Sequence, residues 1–204
     1  MTAVAPAPAL PNRIGPNSIT RLAEALSAVE GANTANRLFT SVGLGRYLVD
    51  PPEDMVDERE TQALHIALRA ALGTQRARTL GWIAGQRTAD YLLQARIPKA
   101  AQVVLKAAPP ALASRLLTAT MASHAWTFAG GGRFSARHGA AAVLSIAHCP
   151  MCQDQRSSEP LCDYYAGTFE RLFARLVHPS ARARETHCQA MGDAACRFEI
   201  RWRR

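Results

Sequence analysis

The chain has 204 residues, 48% of them hydrophobic, and a formal net charge of +8, which predicts one domain with at most a short extension and excludes a wholly disordered chain. No apolar run reaches the ~18 to 20 residues of a membrane helix, and the N-terminus lacks the charged start and apolar stretch of a secretory signal, so a cytoplasmic location is expected. The basic residues are mostly scattered arginines that read as a solvated surface; with no zinc-finger spacing and no basic-region heptads, nothing suggests nucleic acid.

Residues 1–16 are Pro- and Ala-rich and predict a flexible tail, with a single α+β domain over 17–204. Helical apolar spacing follows over 18–30 and 33–48. After Pro51-Pro52, Asp57 is a candidate N-cap, with Glu60 placed to complete a capping box. That helix has an apolar face of Ala63, Leu64, Ala67, Leu68 and Ala71, and stops at Gly73. A long helix is predicted over 75–96, ended by Pro98, then shorter ones over 99–107 and 110–122. The period then changes. Residues 123–130 and 140–148 predict strands, separated by Gly130-Gly131-Gly132 and a short stretch at 133–138. An amphipathic helix spans about 162–177. In the last strand Cys196, Phe198, Ile200 and Trp202 alternate with Arg197, Glu199, Arg201 and Arg203, one face buried and one wet. Helices followed by hairpins imply an α+β fold with helices packed on an antiparallel sheet.

Five cysteines, an odd number, suit a reducing compartment and metal ligation better than disulfides. Cys162, Glu185, Cys188 and Cys196 offer three thiolates and a carboxylate, a tetrahedral set suited to structural zinc. Met191-Gly192-Asp193 reads as the hairpin tip between Cys188 and Cys196. Glu185 and Cys188 are three apart, so a bulge or a strand end must turn one of them. Arg182, Arg184 and Arg197 are near enough in sequence to offset the net negative charge. Ordinary buried thiols are the plain alternative. Cys149-Pro-Met-Cys152 is a redox pair, a metal knuckle, an iron–sulfur corner or a turn that happens to carry two thiols; its cysteines are also alternates for the zinc set. Gly43-Leu-Gly45 follows a helical pattern and is no dinucleotide fingerprint, and no nicotinamide or flavin motif is visible.

The runs GLGRYLVDPPEDMVDE, GQRTADYLLQARIPKAAQ, SHAWTFAGGGRF and CDYYAGTFERLFARLVHP, followed by E-x2-C-x7-C-x-F, resemble the BchJ, or 4-vinyl reductase, family of bacteriochlorophyll synthesis over about residues 37–202. The resemblance implies a 4-vinyl-reductase domain at about 125–202. It also implies the ligand-binding fold of heme-based nitric-oxide sensors and Golgi transport-particle subunits. It further implies a zinc pattern, C-x22-E-x2-C-x7-C, that lands on Cys162, Glu185, Cys188 and Cys196; Cys149 and Cys152 fall outside it. The family name implies reduction of the 8-vinyl (old 4-vinyl) group of a divinyl chlorophyllide precursor, a role in photosynthesis. Without visible redox machinery, binding of a Mg-tetrapyrrole as a carrier for chlorophyll-synthesis enzymes is the expected function. The reductase and a small-molecule sensor are the alternatives.

A flat, apolar, anionic macrocycle needs apolar walls, a cation and an axial imidazole. On a strand, His124, Trp126 and Phe128 share one face and supply them, although Trp126 and Phe128 as core and His124 as a helix cap compete closely. Tyr91 is a candidate wall, and Arg133 and Arg137 are candidate partners for the propionate. His138 and His148 are further axial candidates; His65, His178 and His187 read as surface or supporting residues. A homodimer and peripheral contact with the photosynthetic membrane are compatible with this picture.

Overall fold

Ile14, predicted to lie in a flexible tail, is in the hydrophobic core. The computed structural model describes residues 12–203; of the predicted tail, residues 1–11 lie outside it. Residues 12–16 are ordered because β1 (Arg13–Ile14) pairs antiparallel with β2 (Val56–Asp57), and the backbone N–H of Gly15 donates to the Thr127 carbonyl at 2.7 Å. Residues 12–16, predicted as tail, are therefore part of the fold.

Two helices follow, α1 (Asn17–Glu30) and α2 (Ala32–Ser41). Asp57 caps α3 (Glu58–Leu72) by accepting from the Arg59 N–H at 2.9 Å. Glu60 does not close the capping box; its carboxylate accepts instead from Tyr47 Oη at 2.8 Å and Arg46 at 2.6 Å. At the other end Gly73, with φ of 78°, stops the helix and leads directly into α4 (Thr74–Tyr91). A π-helical turn over Leu92–Arg96 ends this run before α5 (Lys99–Ala107) and α6 (Pro110–Ser123).

Strand β3 (Arg133–His138) turns into β4 (Ala142–Ala147); helix α7 (Asp163–Leu176) and strands β5 (Arg182–His187) and β6 (Cys196–Arg201) complete the chain. The antiparallel sheet has the order β3-β4-β6-β5. The strand predicted over 123–130 is absent. Residues up to Ser123 are helix, and Ala125–Thr127 form a 3-10 turn whose following N–H groups, Phe128 and Ala129, reach back to the Ala125 carbonyl at 3.0 and 2.7 Å. The strand is instead 133–138, the stretch predicted only as a separator.

Helices α4 and α7 cross with backbones almost touching. Gly81, Gly85 and Gly167 line this seam, and a Cβ on Gly85 or Gly167 would overlap the carbonyl of Tyr164 or Trp82. Thr168 Oγ1 donates across it to the Gly85 carbonyl at 3.1 Å, and Tyr164 Oη shares a hydrogen bond with Thr88 at 2.9 Å. The seam fixes the start of α7, where Cys162 sits.

Candidate functional site: a buried cysteine cluster

Cys162 occupies the N-cap position of α7. Glu185 lies on β5 and Cys188 just past it; Cys196 opens β6. The odd offset between Glu185 and Cys188 is resolved by a register shift between Glu185 and His187. This irregularity lets both side chains turn inward, and both are buried. The hairpin loop is a 3-10 turn over Gln189–Met191 ending at Gly192 with φ of 97°. Ligand atoms of Cys162, Glu185, Cys188 and Cys196 all lie within 4.8 Å of one another.

The Cys149-Pro-Met-Cys152 turn joins them. Cys149, Cys152, Cys162 and Cys196 form a second group of four within the same span. Sulfur separations are 3.4 Å for Cys152–Cys196, 3.6 Å for both Cys149–Cys162 and Cys162–Cys196, and 3.9 Å for Cys188–Cys196. Four thiolates around zinc at the usual bond length stand about 3.8 Å apart. The turn is held in place by three tethers. Gln189 Oε1 accepts from the Cys149 N–H at 2.6 Å, Gln62 donates to the Gln153 carbonyl at 2.6 Å, and Arg69 donates to Gln155 Oε1 at 2.6 Å.

Five buried thiols and a carboxylate at one point set up a conflict of like charges. Burial, and then the neighbouring Cys188, push the Glu185 carboxyl up to about 9. Burial also raises Cys149 and Cys162, whereas hydrogen bonds from the other thiols, Cys149 foremost, hold Cys152 down. Glu185 Oε2 accepts from the Cys162 N–H at 2.8 Å, but Oε1 is buried with no partner among the described residues. An orphaned carboxylate oxygen facing thiols fits a metal cation. A nearby cation is Arg69 on α3; burial lowers its pKa, and the charges of Cys162, Cys152 and Cys188 oppose that shift. Arg182, Arg184 and Arg197 point to solvent on the wet faces of β5 and β6; the cation beside the thiols is instead Arg69, more than a hundred positions upstream of the hairpin.

The predicted pigment residues are not brought together. His124 ends α6, with its Nδ1 2.9 Å from the Thr120 carbonyl. Phe128 packs edge-on against Phe134, Tyr165 and Phe169. Trp126 points outward and is 61% exposed. A 3-10 turn cannot hold alternate residues on one face as a strand does, so the shared face is lost and the cap-and-core alternative holds for His124 and Phe128. Tyr91 lies under the guanidinium of Arg21, 4.8 Å from the ring centre, and accepts from Arg96 at 3.0 Å. Arg133 and Arg137 are exposed on β3. His138 lies 3.0 Å from Thr118 Oγ1, His148 is exposed at a φ of 56°, and His187 is exposed; His178 Nδ1 accepts from the Ser180 N–H at 3.2 Å. His65 is a correction: it is buried on α3 against the Tyr164 ring, 6.0 Å between centres. Its position on the Thr61, Leu64, Leu68 face was the available signal. Trp126 does line an open groove of about 460 Å³ with Arg13, Asp54, Met55 and Gly130.

A family model described as the V4R domain matches residues 142–202. The bacteriochlorophyll synthase 23 kDa chain of Cereibacter sphaeroides is 41% identical over 193 residues, covering 95% of this chain and 92% of that one. Its namesake from Rhodobacter capsulatus is 36% identical, covering 98% and 92%. Among solved structures, an unliganded Fe(II) H-NOX protein mutant from K. algicida superimposes with a TM-score of 0.61 at 13% identity, covering 94% of this chain and 97% of that one. An H-NOX protein studied for heme distortion gives 0.60 at 13% identity, covering 94% and 96%. These two likenesses establish the α+β fold. The full-length relation establishes more: the chain belongs to the family of bacteriochlorophyll synthase 23 kDa chains and has a role in bacteriochlorophyll biosynthesis.

Proposed function

We propose that this chain binds a Mg-tetrapyrrole precursor, of the divinyl protochlorophyllide kind, and carries it to chlorophyll-synthesis enzymes, on a scaffold clamped by structural zinc. The observation that carries the proposal is the relation, over nearly the whole of both chains, to bacteriochlorophyll synthase 23 kDa chains. One structure sharing its fold is described by its heme distortion, which is compatible with a tetrapyrrole ligand. The groove beside Trp126 supports the same idea: an exposed indole supplies a flat apolar wall, and Arg13 a cation for the carboxylate tail. No helix among the described residues is long and apolar enough to cross a membrane; the proposed place is the cytoplasm, with at most peripheral contact with the photosynthetic membrane.

Two sets of four ligands share Cys162 and Cys196. The set with Glu185 and Cys188 is favoured, because only that set gives the orphaned Glu185 Oε1 a partner. Zinc there would neutralise thiolate charge and join α7 to the terminal hairpin, coupling metal binding to folding. Metal analysis should find about one zinc per chain. Glu185→Gln and Cys188→Ala should lose it, while Cys149→Ser with Cys152→Ser should keep it; the reverse pattern assigns the four-thiolate set. A stable, zinc-free protein removes the metal from the proposal.

For the pigment, purified chain is titrated with Mg-protoporphyrin. A shifted Soret band and quenched tryptophan fluorescence, both weakened by Trp126→Ala, are expected. Unchanged absorption and fluorescence at micromolar pigment would overturn binding. Conversion of divinyl to monovinyl pigment in the presence of a nicotinamide, flavin or ferredoxin donor would replace the carrier by the reductase.

A further inference from the structure

Between Asp90 and Asp154 the chain has no acidic residue across 63 positions, yet it places Arg96, Lys99, Lys106, Arg115, Arg133 and Arg137 there. Elsewhere the arginines of α1, α3, α4 and α7 are largely ion-paired, as in Arg78 with Asp163 and Arg171 with Asp90. Among the described residues, none of the six cations in the acid-free stretch is in an ion pair. Arg96 donates to Tyr91 Oη and Lys99 to the Leu93 carbonyl, so their charge is hydrogen-bonded but not neutralised.

The same stretch contains α5 and α6, joined by Ala108-Pro109 alone. Each helix buries one face and turns an aliphatic stripe outward. On α5 the stripe is Ala100, Val103, Val104 and Ala107, at helical spacing, with Val103 66% and Val104 60% exposed. On α6 it continues as Leu112 and Leu116, both exposed. Lys99, Lys106 and Arg115 are exposed on the same two helices.

The geometry points to this helix pair as a docking surface for an anionic lipid bilayer. Protein interfaces favour aromatic residues, Met and Arg, and are poor in Lys and Ala; this face has Ala, Val and Leu edged by lysines and no aromatic residue. Aliphatic side chains that enter the headgroup boundary, with lysine stems reaching back to lipid phosphates, are the chemistry of an interfacial amphipathic helix. Each cation near such a surface strengthens binding about fivefold, and short stripes of this size suit reversible attachment. The inference rests on the peripheral contact proposed above and names its surface; its test uses no pigment, so it can fail while pigment binding stands, and the reverse.

The full chain is sedimented with vesicles of phosphatidylcholine alone and of equimolar phosphatidylcholine and phosphatidylglycerol. Binding to the second, absent with the first and weakened by salt, is expected. Lys99→Glu with Lys106→Glu should weaken it at least about tenfold, and Val103→Ser with Val104→Ser should abolish it, with the folded state of both checked by circular dichroism. Substitution of Arg175, an exposed cation on α7, by Glu should leave binding nearly unchanged. Absence of wild-type binding to anionic vesicles overturns the proposal, as does equal loss with all three variants. So does a wild-type dimer that the valine variant dissolves, since the face would then belong to a second copy of the chain.

Discussion

Three glycines on the α4–α7 seam provide a test with its own control. An alanine Cβ at Gly167 would overlap the Trp82 carbonyl oxygen and stand 3.2 Å from both its carbon and Cα; at Gly85 it would overlap the Tyr164 carbonyl and stand 2.9 Å from Thr168 N. These neighbours are backbone, so no side chain can swing aside and the helices must separate. At Gly81 the nearest atom, Tyr164 N, is 3.5 Å away, an ordinary contact. Alanine in a helix gains about 1 kcal/mol over glycine at every position. Against it, overpacking costs typically about 1 to 3 kcal/mol, at the upper end for a clash with main chain that also stretches the Thr168–Gly85 and Tyr164–Thr88 hydrogen bonds. Gly85→Ala and Gly167→Ala should therefore lose about 2 kcal/mol net, lowering Tm by roughly 4 to 8 °C for a chain of this size, whereas Gly81→Ala should be neutral or slightly stabilising. Thermal unfolding followed by circular dichroism in excess zinc decides the matter. Because α7 starts at Cys162, Gly167→Ala should also release metal to a chelator faster than Gly81→Ala. Three variants with the same Tm, or Gly81→Ala as the most damaging, would refute the seam's role.

Other predictions concern the groups around the cluster. Burial, then the charge of Arg69, hold the His65 imidazole down at about 3, against about 6.5 in the unfolded chain. The folded state thus binds fewer protons between these values, and stability present above pH 6.5 is lost as pH falls toward 3, by about 2 kcal/mol at pH 5. In metal-free protein, where zinc release cannot contribute, His65→Leu should flatten this acid limb; an unchanged limb would assign it to other groups. Arg69→Met removes the cation beside the thiols and should weaken zinc retention about tenfold in a chelator competition, while Arg197→Met on the wet face of β6 should leave it alone; equal effects would mean that only bulk charge matters.

Much of the fold was legible because its helices and last strand obey local rules. The boundaries of α5, α6 and α7 follow from proline punctuation and from apolar spacing such as Tyr164, Phe169, Leu172, Phe173 and Leu176, all buried. The alternation in β6 marks its buried face correctly. Failures occurred where tertiary contacts decide. His124 to Phe128 alternates like a strand, but main-chain N–H groups found partners in the preceding turn. Strand β3 turns only Phe134 and Ala136 inward among polar and basic residues, too weak a pattern to read locally. Ile14 is held by pairing with Val56, forty-two residues away.

The cysteine cluster shows the same division at finer scale. Cys162, Glu185, Cys188 and Cys196 could be grouped from sequence by their ligand chemistry, by the hairpin spacing of Cys188 and Cys196, and by the pattern that the family resemblance implies; the odd offset of Glu185 spoke against a regular strand. Cys149 and Cys152 could be paired with each other but not placed, since their position depends on hydrogen bonds to Gln189, forty residues on, and from Gln62 and Arg69 on α3. Arg69 itself sits in an ordinary amphipathic helix, and nothing within a few residues of it announces a partner. What makes the site distinctive is thus its long-range part: a turn carrying two extra thiols, drawn against the hairpin by amide side chains and countered by one half-buried guanidinium. If zinc takes the ligand set containing Glu185, those two thiols remain buried beside it, close enough to exchange into the metal's coordination but not required to hold it. Retention of zinc by the Cys149→Ser, Cys152→Ser double variant, alongside its loss on Cys188→Ala, would separate these roles, because the two substitutions remove sulfur from the same cluster yet only one leaves the Glu185 oxygen without its shared ion.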